Sequence, residues 1–121
     1  MGVSEEYREY ILERLEVTGR ITSRRMFGGL GLYLEGVFFA LVSDNVLYFK
    51  VDEVNRRDYE TAGMAPFSPY GENSYSMSYY EVPEEIIEDD QALAAWSFKA
   101  YEAALRNKKP SRKRKTKKVI E

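Results

Sequence analysis

The chain has no cysteine and no histidine. Without thiols there is no disulfide, no cysteine nucleophile and no thiolate metal ligand. Without imidazole there is no histidine base, no Ser-His-Asp triad and no zinc site built on nitrogen or sulfur. Chemistry would fall to carboxylates, Lys, Tyr or an oxygen-ligated metal, so the chain reads as a non-enzyme with no cofactor and no metal. Long hydrophobic runs are missing too: the longest is Val37–Val42, far short of a membrane span. Residues 1–6 lack the basic and apolar regions of a signal peptide, and Glu6 stands where myristoylation after Gly2 needs Ser or Thr. These absences make a cytoplasmic protein without a membrane partner the expectation.

What is present is a segregated charge pattern. Of eighteen Lys and Arg, nine lie in residues 106–121: Arg106, Lys108, Lys109, Arg112, Lys113, Arg114, Lys115, Lys117 and Lys118. Only Glu121 opposes them, so that segment carries +8, whereas residues 1–105 hold nine basic and nineteen acidic residues and carry −10. The 121 residues have room for one domain, and 44% hydrophobic with 14% aromatic content suffices for a packed core. The division expected is a folded domain over 1–105 and a basic tail over 106–121. The tail is highly charged and free of aromatics, which predicts disorder in isolation. Its cations suit nucleic-acid phosphates without base stacking, hence without sequence preference. The same tail could instead fold back on the acidic body.

Periodicity places the elements. Val3, Tyr7, Ile11 and Leu15 share one face of a helix over 4–18, with Ser4 as N-cap and Gly19 as stop. Residues 30–51 read as a three-stranded meander. Glu35-Gly36 forms a two-residue turn, so Leu34 faces Val37, Leu32 faces Phe39 and Leu30 faces Leu41. A three-residue turn, Ser43-Asp44-Asn45, then sets Leu41 against Leu47, Phe39 against Phe49 and Val37 against Val51. The opposite face carries Tyr33, Phe38 and Lys50, then Gly31, Ala40 and Tyr48, then Val42 and Val46. It is too apolar for a plain solvated surface: either a helix or the tail covers it, or it is a partner or dimer surface.

Asn55–Ala62 reads as a short helix capped by Asp52 or Asn55, and Pro66, Pro69 and Gly71 make a loop. Residues 75–82 alternate as a strand that pairs with a short one at Phe67. Pro83 opens a helical segment through Ile87. A last helix, capped by Asp89 or Asp90, reaches Asn107 with Leu93, Trp96, Ala100 and Ala104 as its stripe, flanked by Phe98, Tyr101 and Leu105; Trp96 is the expected core anchor.

The stretch Arg24-Arg25-Met26-Phe27-Gly28-Gly29-Leu30-Gly31-Leu32-Tyr33 is neither a phosphate loop nor a dinucleotide fingerprint: no Gly-Lys-Ser/Thr follows, and Leu34 stands at the third glycine. Its glycines suit a bulge and close packing. Together with Phe39-Ala40-Leu41, Leu47–Asp52, Ala62–Phe67 and Ser76–Glu84, it resembles the N-terminal domain of the TfoX/Sxy competence regulators over roughly 4–105. The resemblance implies an α+β fold, helices packed mainly on one face of a single antiparallel sheet, in the secretion-chaperone-like order α-β3-α-β2-α. It also implies transcriptional regulation of DNA uptake through protein contacts. The basic tail stands where full-length regulators carry a second domain.

Three functions follow as expectations. The first is a non-enzymatic regulatory domain, monomer or weak homodimer, binding a protein partner such as a transcription factor through Arg24, Arg25, Tyr33, Phe38 and Tyr48. The second is sequence-independent nucleic-acid binding through the tail. The third is small-molecule binding or carboxylate-dependent catalysis. The Arg24-Arg25 and Arg56-Arg57 pairs could equally neutralise body carboxylates. The acids at Asp52-Glu53, Glu84-Glu85 and Glu88–Asp90 do not follow a calcium-loop pattern.

Overall fold

In the computed structural model, which describes residues 2–26, 28–68 and 76–107, Ser4 opens α1 (Glu5–Arg14) by accepting a hydrogen bond from the Tyr7 amide at 3.1 Å. A 3-10 turn follows at Leu15–Val17, so the helical stretch winds down just before Gly19. The long last helix, α4 (Asp90–Arg106), is capped in the same way by Asp89, whose carboxylate accepts from the Ala92 amide. Between them lie α2 (Arg56–Thr61) and α3 (Glu84–Ile87), the latter starting just after Pro83.

The sheet has six antiparallel strands: β1 (Ile21–Met26), β2 (Gly29–Leu34), β3 (Val37–Ser43), β4 (Val46–Lys50), β5 (Pro66–Phe67) and β6 (Ser76–Glu81), in spatial order β1-β2-β3-β4-β6-β5. The α+β class, the meander and the β5–β6 pair match expectation. The meander has a fourth strand, β1, which the pattern did not announce. Its sequence Ile-Thr-Ser-Arg-Arg-Met offers little apolar alternation because it is an edge strand, exposed at Thr22, Arg24 and Arg25.

The register of β3 corrects the expected one. The turn at Asp44-Asn45 has two residues, not three, both left-handed at φ 52° and 60°, which suits a hairpin and pairs Ser43 with Val46 and Val42 with Leu47. The Glu35-Gly36 turn is also two residues long and pairs Leu34 with Val37. One turn puts Val37 on the core side and the other puts Val42 there. Val42 lies five positions after Val37, an odd offset, and side chains alternate with period two. The strand absorbs the mismatch with a bulge: Tyr33 pairs with Phe38, but Leu32 pairs with Ala40. Phe39 and Ala40 thus both enter the core, each fully buried, with Val42. Leu41 moves to the opposite face, paired with Gly31 and Tyr48. The sequence reading had satisfied the same parity by lengthening a turn.

The core lies between one face of the sheet and the helices. Leu30, Leu32, Phe39, Leu47 and Phe49 form one cluster with Ile11, Leu15, Leu93 and Ala100. Tyr59 of α2 is 1% exposed and stacks edge-on against Trp96, centroids 4.7 Å apart. Trp96 is therefore a half-buried lid on this ring rather than the centre of the core. Arg14 ties α1 to the far end of the chain by donating to the Ile87 carbonyl and pairing with Asp90, both at 2.8 Å. Among the described residues, no helix is long and apolar enough to cross a membrane.

Candidate binding face and the root of the basic tail

The sheet's second face carries a connected set of rings. Tyr33 and Phe38, cross-strand partners, have centroids 5.3 Å apart, and Phe38 and Tyr79 lie 5.7 Å apart. Lys50, paired with Tyr79 across β4 and β6, places its ammonium 5.2 Å from that ring's centroid. In the next row, Tyr48 meets Phe67 at 4.7 Å. Leu41, Met26 and Phe67 line a small apolar hollow of about 80 Å³. All these side chains are half-buried. Burial raises the Tyr79 hydroxyl to a pKa of about 12, with Tyr33 adding to it. It raises Tyr48 as well, aided by Glu81 and Asp44, and lowers the Lys50 ammonium against the pull of Asp52.

Gly31 makes this surface possible. A Cβ there would sit 2.6 Å from Met26 Cε and 3.2 Å from Phe38 Cε1, so both side chains lie across bare backbone.

The structure divides the five expected partner-binding residues. Tyr33, Phe38 and Tyr48 share the ring-bearing face, and so does Arg24, which pairs with Gly31. Arg25 is the next residue along β1 and points to the helix side, 3.9 Å from Glu5. Tyr79, Phe67 and Leu41 complete the face and were missed. Their placement depends on the β4–β6 and β5–β6 pairings and on the bulge in β3, which are long-range features. The pairing of Lys50 with Tyr79 has no local signature at all.

Arg106, the first cation of the tail, is held at the end of α4. Its guanidinium grips Asp52 with two bonds, Nε to Oδ2 at 2.7 Å and Nη2 to Oδ1 at 3.0 Å. Asn107 Nδ2 adds a third, to Oδ2 at 3.1 Å. The Arg106 hydrogen bond is the main reason the Asp52 carboxyl falls to a pKa of about 2; the Val54 amide and Asn107 assist, and burial opposes. Asn55 fixes the same loop by accepting from the Asp52 amide and donating to the Lys50 carbonyl. The remaining tail residues, Lys108, Lys109, Arg112, Lys113, Arg114, Lys115, Lys117 and Lys118, lie outside the described residues, as do Pro69 and Gly71 of the expected loop; Pro66 of that loop instead begins β5, paired with Tyr80.

Two clefts meet at this root. One, of about 470 Å³, is lined by Lys50, Asp52, Arg56, Ser78, Arg106 and Asn107, among others. The other, of about 310 Å³, includes Tyr33, Phe38, Lys50, Tyr79 and Asn107. Lys50 and Asn107 belong to both, so Asn107, the last described residue, lies at the end of the ring cluster. Asp52 is an ion-paired anion, not a carboxyl poised as a proton carrier near neutrality. Among the described residues, no three or more Asp and Glu side chains come together to hold a metal ion.

Comparison with known proteins places these features in a family. The chain matches the model of the TfoX N-terminal domain over residues 13–104 of its 121. No curated protein matches it.

Proposed function

We propose, from the premise that this chain belongs to the TfoX N-terminal domain family, that it is a non-catalytic regulatory domain whose open sheet face is its recognition surface. Competence regulators give the family its character, and a protein of the transcription apparatus is the partner this kinship favours. The observation that carries the reading is the ring-bearing face: Tyr33, Phe38, Tyr48, Phe67 and Tyr79 lie on the side of the sheet away from the α1–α4 core. Aromatic anchors of this kind dominate binding energy at protein interfaces.

The test is to crosslink the full chain in its source cells and repeat with Phe38→Asp and Tyr48→Asp. Both positions are only half-buried, so the fold should survive, which circular dichroism checks. Losing a central ring weakens an interface by about 2 kcal/mol or more, roughly thirty-fold in affinity. Partner capture unchanged in both variants would remove the reading.

A second reading, nucleic-acid binding through the basic segment, draws on the +8 charge of residues 106–121. With about six phosphates engaged on duplex DNA, log affinity falls against log salt with a slope of about −5. A slope near zero would eliminate it.

A further inference from the structure

The sheet ends in two unlike edges. β5 is two residues long, begins with Pro66 and pairs irregularly with β6, and all of these features blunt an edge. β1 closes the other side with six residues and no proline. The ladder fixes which of its backbone groups face outward. Glu35-Gly36 is a two-residue turn, so Leu34 and Val37 exchange both hydrogen bonds and Leu34 turns its backbone groups toward β3. Ile21, opposite Leu34 in β1, therefore aims its N–H and C=O away from β2, and alternation gives Ser23 and Arg25 the same direction. Among the described residues, no other element takes up these groups. The edge is also cationic. Arg20 precedes β1, Arg24 and Arg25 lie on its two faces, and all are exposed. Arg20 and Arg24 enter no ion pair among the described residues. Arg25 reaches Glu5 only at 3.9 Å, while Arg8 holds that side chain at 3.1 Å.

We propose that β1 takes up an extended, acidic segment of a partner protein as a seventh strand of the sheet. The site is the edge and not the ring-bearing face, so the inference goes beyond the reading above and stands independently of it. Backbone bonds to Ile21, Ser23 and Arg25 supply the attachment, and carboxylates opposite Arg24 and Arg25 supply the selectivity. Because those arginines lie on opposite faces of the sheet, adjacent acids in the segment reach one each. Charge decides against a second copy of this chain. Two β1 edges laid together would bring Arg20, Arg24 and Arg25 of both copies into one short ladder, and like charges opposed across strands destabilise it. Edge charges ordinarily keep a sheet from pairing with its neighbours. Those of β1 are all of one sign, so they repel a cationic edge and admit an anionic one.

The test uses the full chain and three fluorescent, end-capped peptides. The first is Val-Glu-Val-Glu-Glu-Val-Glu-Val, the second has Lys in place of each Glu, and the third is the Glu peptide N-methylated at both central amides, which spoils each of its edges. The Glu peptide should bind about ten-fold or more tightly than either of the others. Its binding should slow hydrogen exchange at the amides of Ile21, Ser23 and Arg25 and leave those of Thr22, Arg24 and Met26, which already face β2, unchanged. Ser23→Pro removes one outward N–H and keeps both arginines, and an edge strand tolerates proline where the N–H faces solvent. It should weaken the Glu peptide by about ten-fold. Arg24→Glu with Arg25→Glu should weaken the Glu peptide by a similar factor and strengthen the Lys peptide. Circular dichroism checks the fold of each variant; if Ser23→Pro does not fold, the N-methylated peptide puts the same question to the parent chain. Equal binding of the methylated and unmethylated Glu peptides leaves only surface attraction and overturns the proposal. So does equal binding of the Glu and Lys peptides, or no binding of either. If the parent sediments as a dimer that Ser23→Pro dissolves, the edge belongs to a second copy and the proposal falls. In each case the ring-face reading is untouched, because its own test lies at Phe38 and Tyr48.

Discussion

Replacing Gly29 with alanine should be among the most damaging single-methyl changes this fold can suffer. A Cβ built at Gly29 lies 2.5 Å from the Val42 carbonyl oxygen, 3.6 Å from its carbon and 3.7 Å from the Met26 carbonyl oxygen. None of these neighbours is the end of a flexible side chain. Val42 is fully buried and pairs with Leu30 and Leu47, so its carbonyl can retreat only if β3 moves against the sheet. Overpacking costs about 1–3 kcal/mol, and a backbone obstacle puts this site near the upper end. Net stability for a domain of this size is roughly 5–15 kcal/mol, so about 3 kcal/mol is a large share. The melting temperature should fall by about 12–24 °C.

Two other glycines separate packing from backbone strain. Gly36 has φ 77° and nothing within 4 Å of its Cβ position, so Gly36→Ala should cost only the left-handed conformation, about 1–2 kcal/mol. At Gly31, the atom closest to the built Cβ is the tip of Met26, so Gly31→Ala should leave stability within about 1 kcal/mol and disturb the ring face instead. Thermal melts by circular dichroism, with urea titrations to check that the m-value is unchanged, give the order. If Gly29→Ala melts within a few degrees of the parent, or above Gly36→Ala, the close β2–β3 approach argued here is wrong.

Other outcomes follow from single contacts. The Tyr59 hydroxyl is buried with no hydrogen-bond partner among the described residues, and burial pushes its pKa upward; Tyr59→Phe should therefore leave stability unchanged or raise it by about 1 kcal/mol, and a loss above that in urea unfolding would reveal a hidden partner. Asp52 has a depressed folded pKa, so its stabilising contribution is present above the ordinary value of 3.8 and lost as pH falls through about 2. Asp52→Asn should cost about 0.5–1 kcal/mol at neutral pH, since Arg106 is partly exposed, and melts recorded at falling pH should show the gap closing. Phe98 is 50% exposed on α4, so Phe98→Ala should shift stability by no more than about 0.5 kcal/mol in the same urea assay, and a larger loss would mean that residue is packed.

Much of the fold was legible because it is local. Ser4 and Asp89 cap their helices as their sequences imply, and the Glu35-Gly36 turn pairs Leu34 with Val37. The alternation of Leu30, Leu32 and Leu34 and of Leu47, Phe49 and Val51 marks their core sides. Of the ring-bearing face, Tyr33, Phe38 and Tyr48 could be read in advance because each lies opposite a strongly apolar neighbour along its own strand.

The chain's order of residues by itself determined the caps at Ser4 and Asp89, the family, the sign and position of the basic segment, and the exclusion of thiol and imidazole chemistry; the expected cap of α2 makes no side-chain bond at Asn55. Tertiary structure alone decided that β1 joins the sheet edge, that Phe39 bulges so that Leu41 faces outward, and that Lys50 meets Tyr79. It also set Arg106 on Asp52, fifty-four residues away. The reason is physical: caps and turns are settled by bonds within a few residues, whereas strand parity and ion pairs across the fold depend on which distant backbone satisfies the same alternation at the lowest cost.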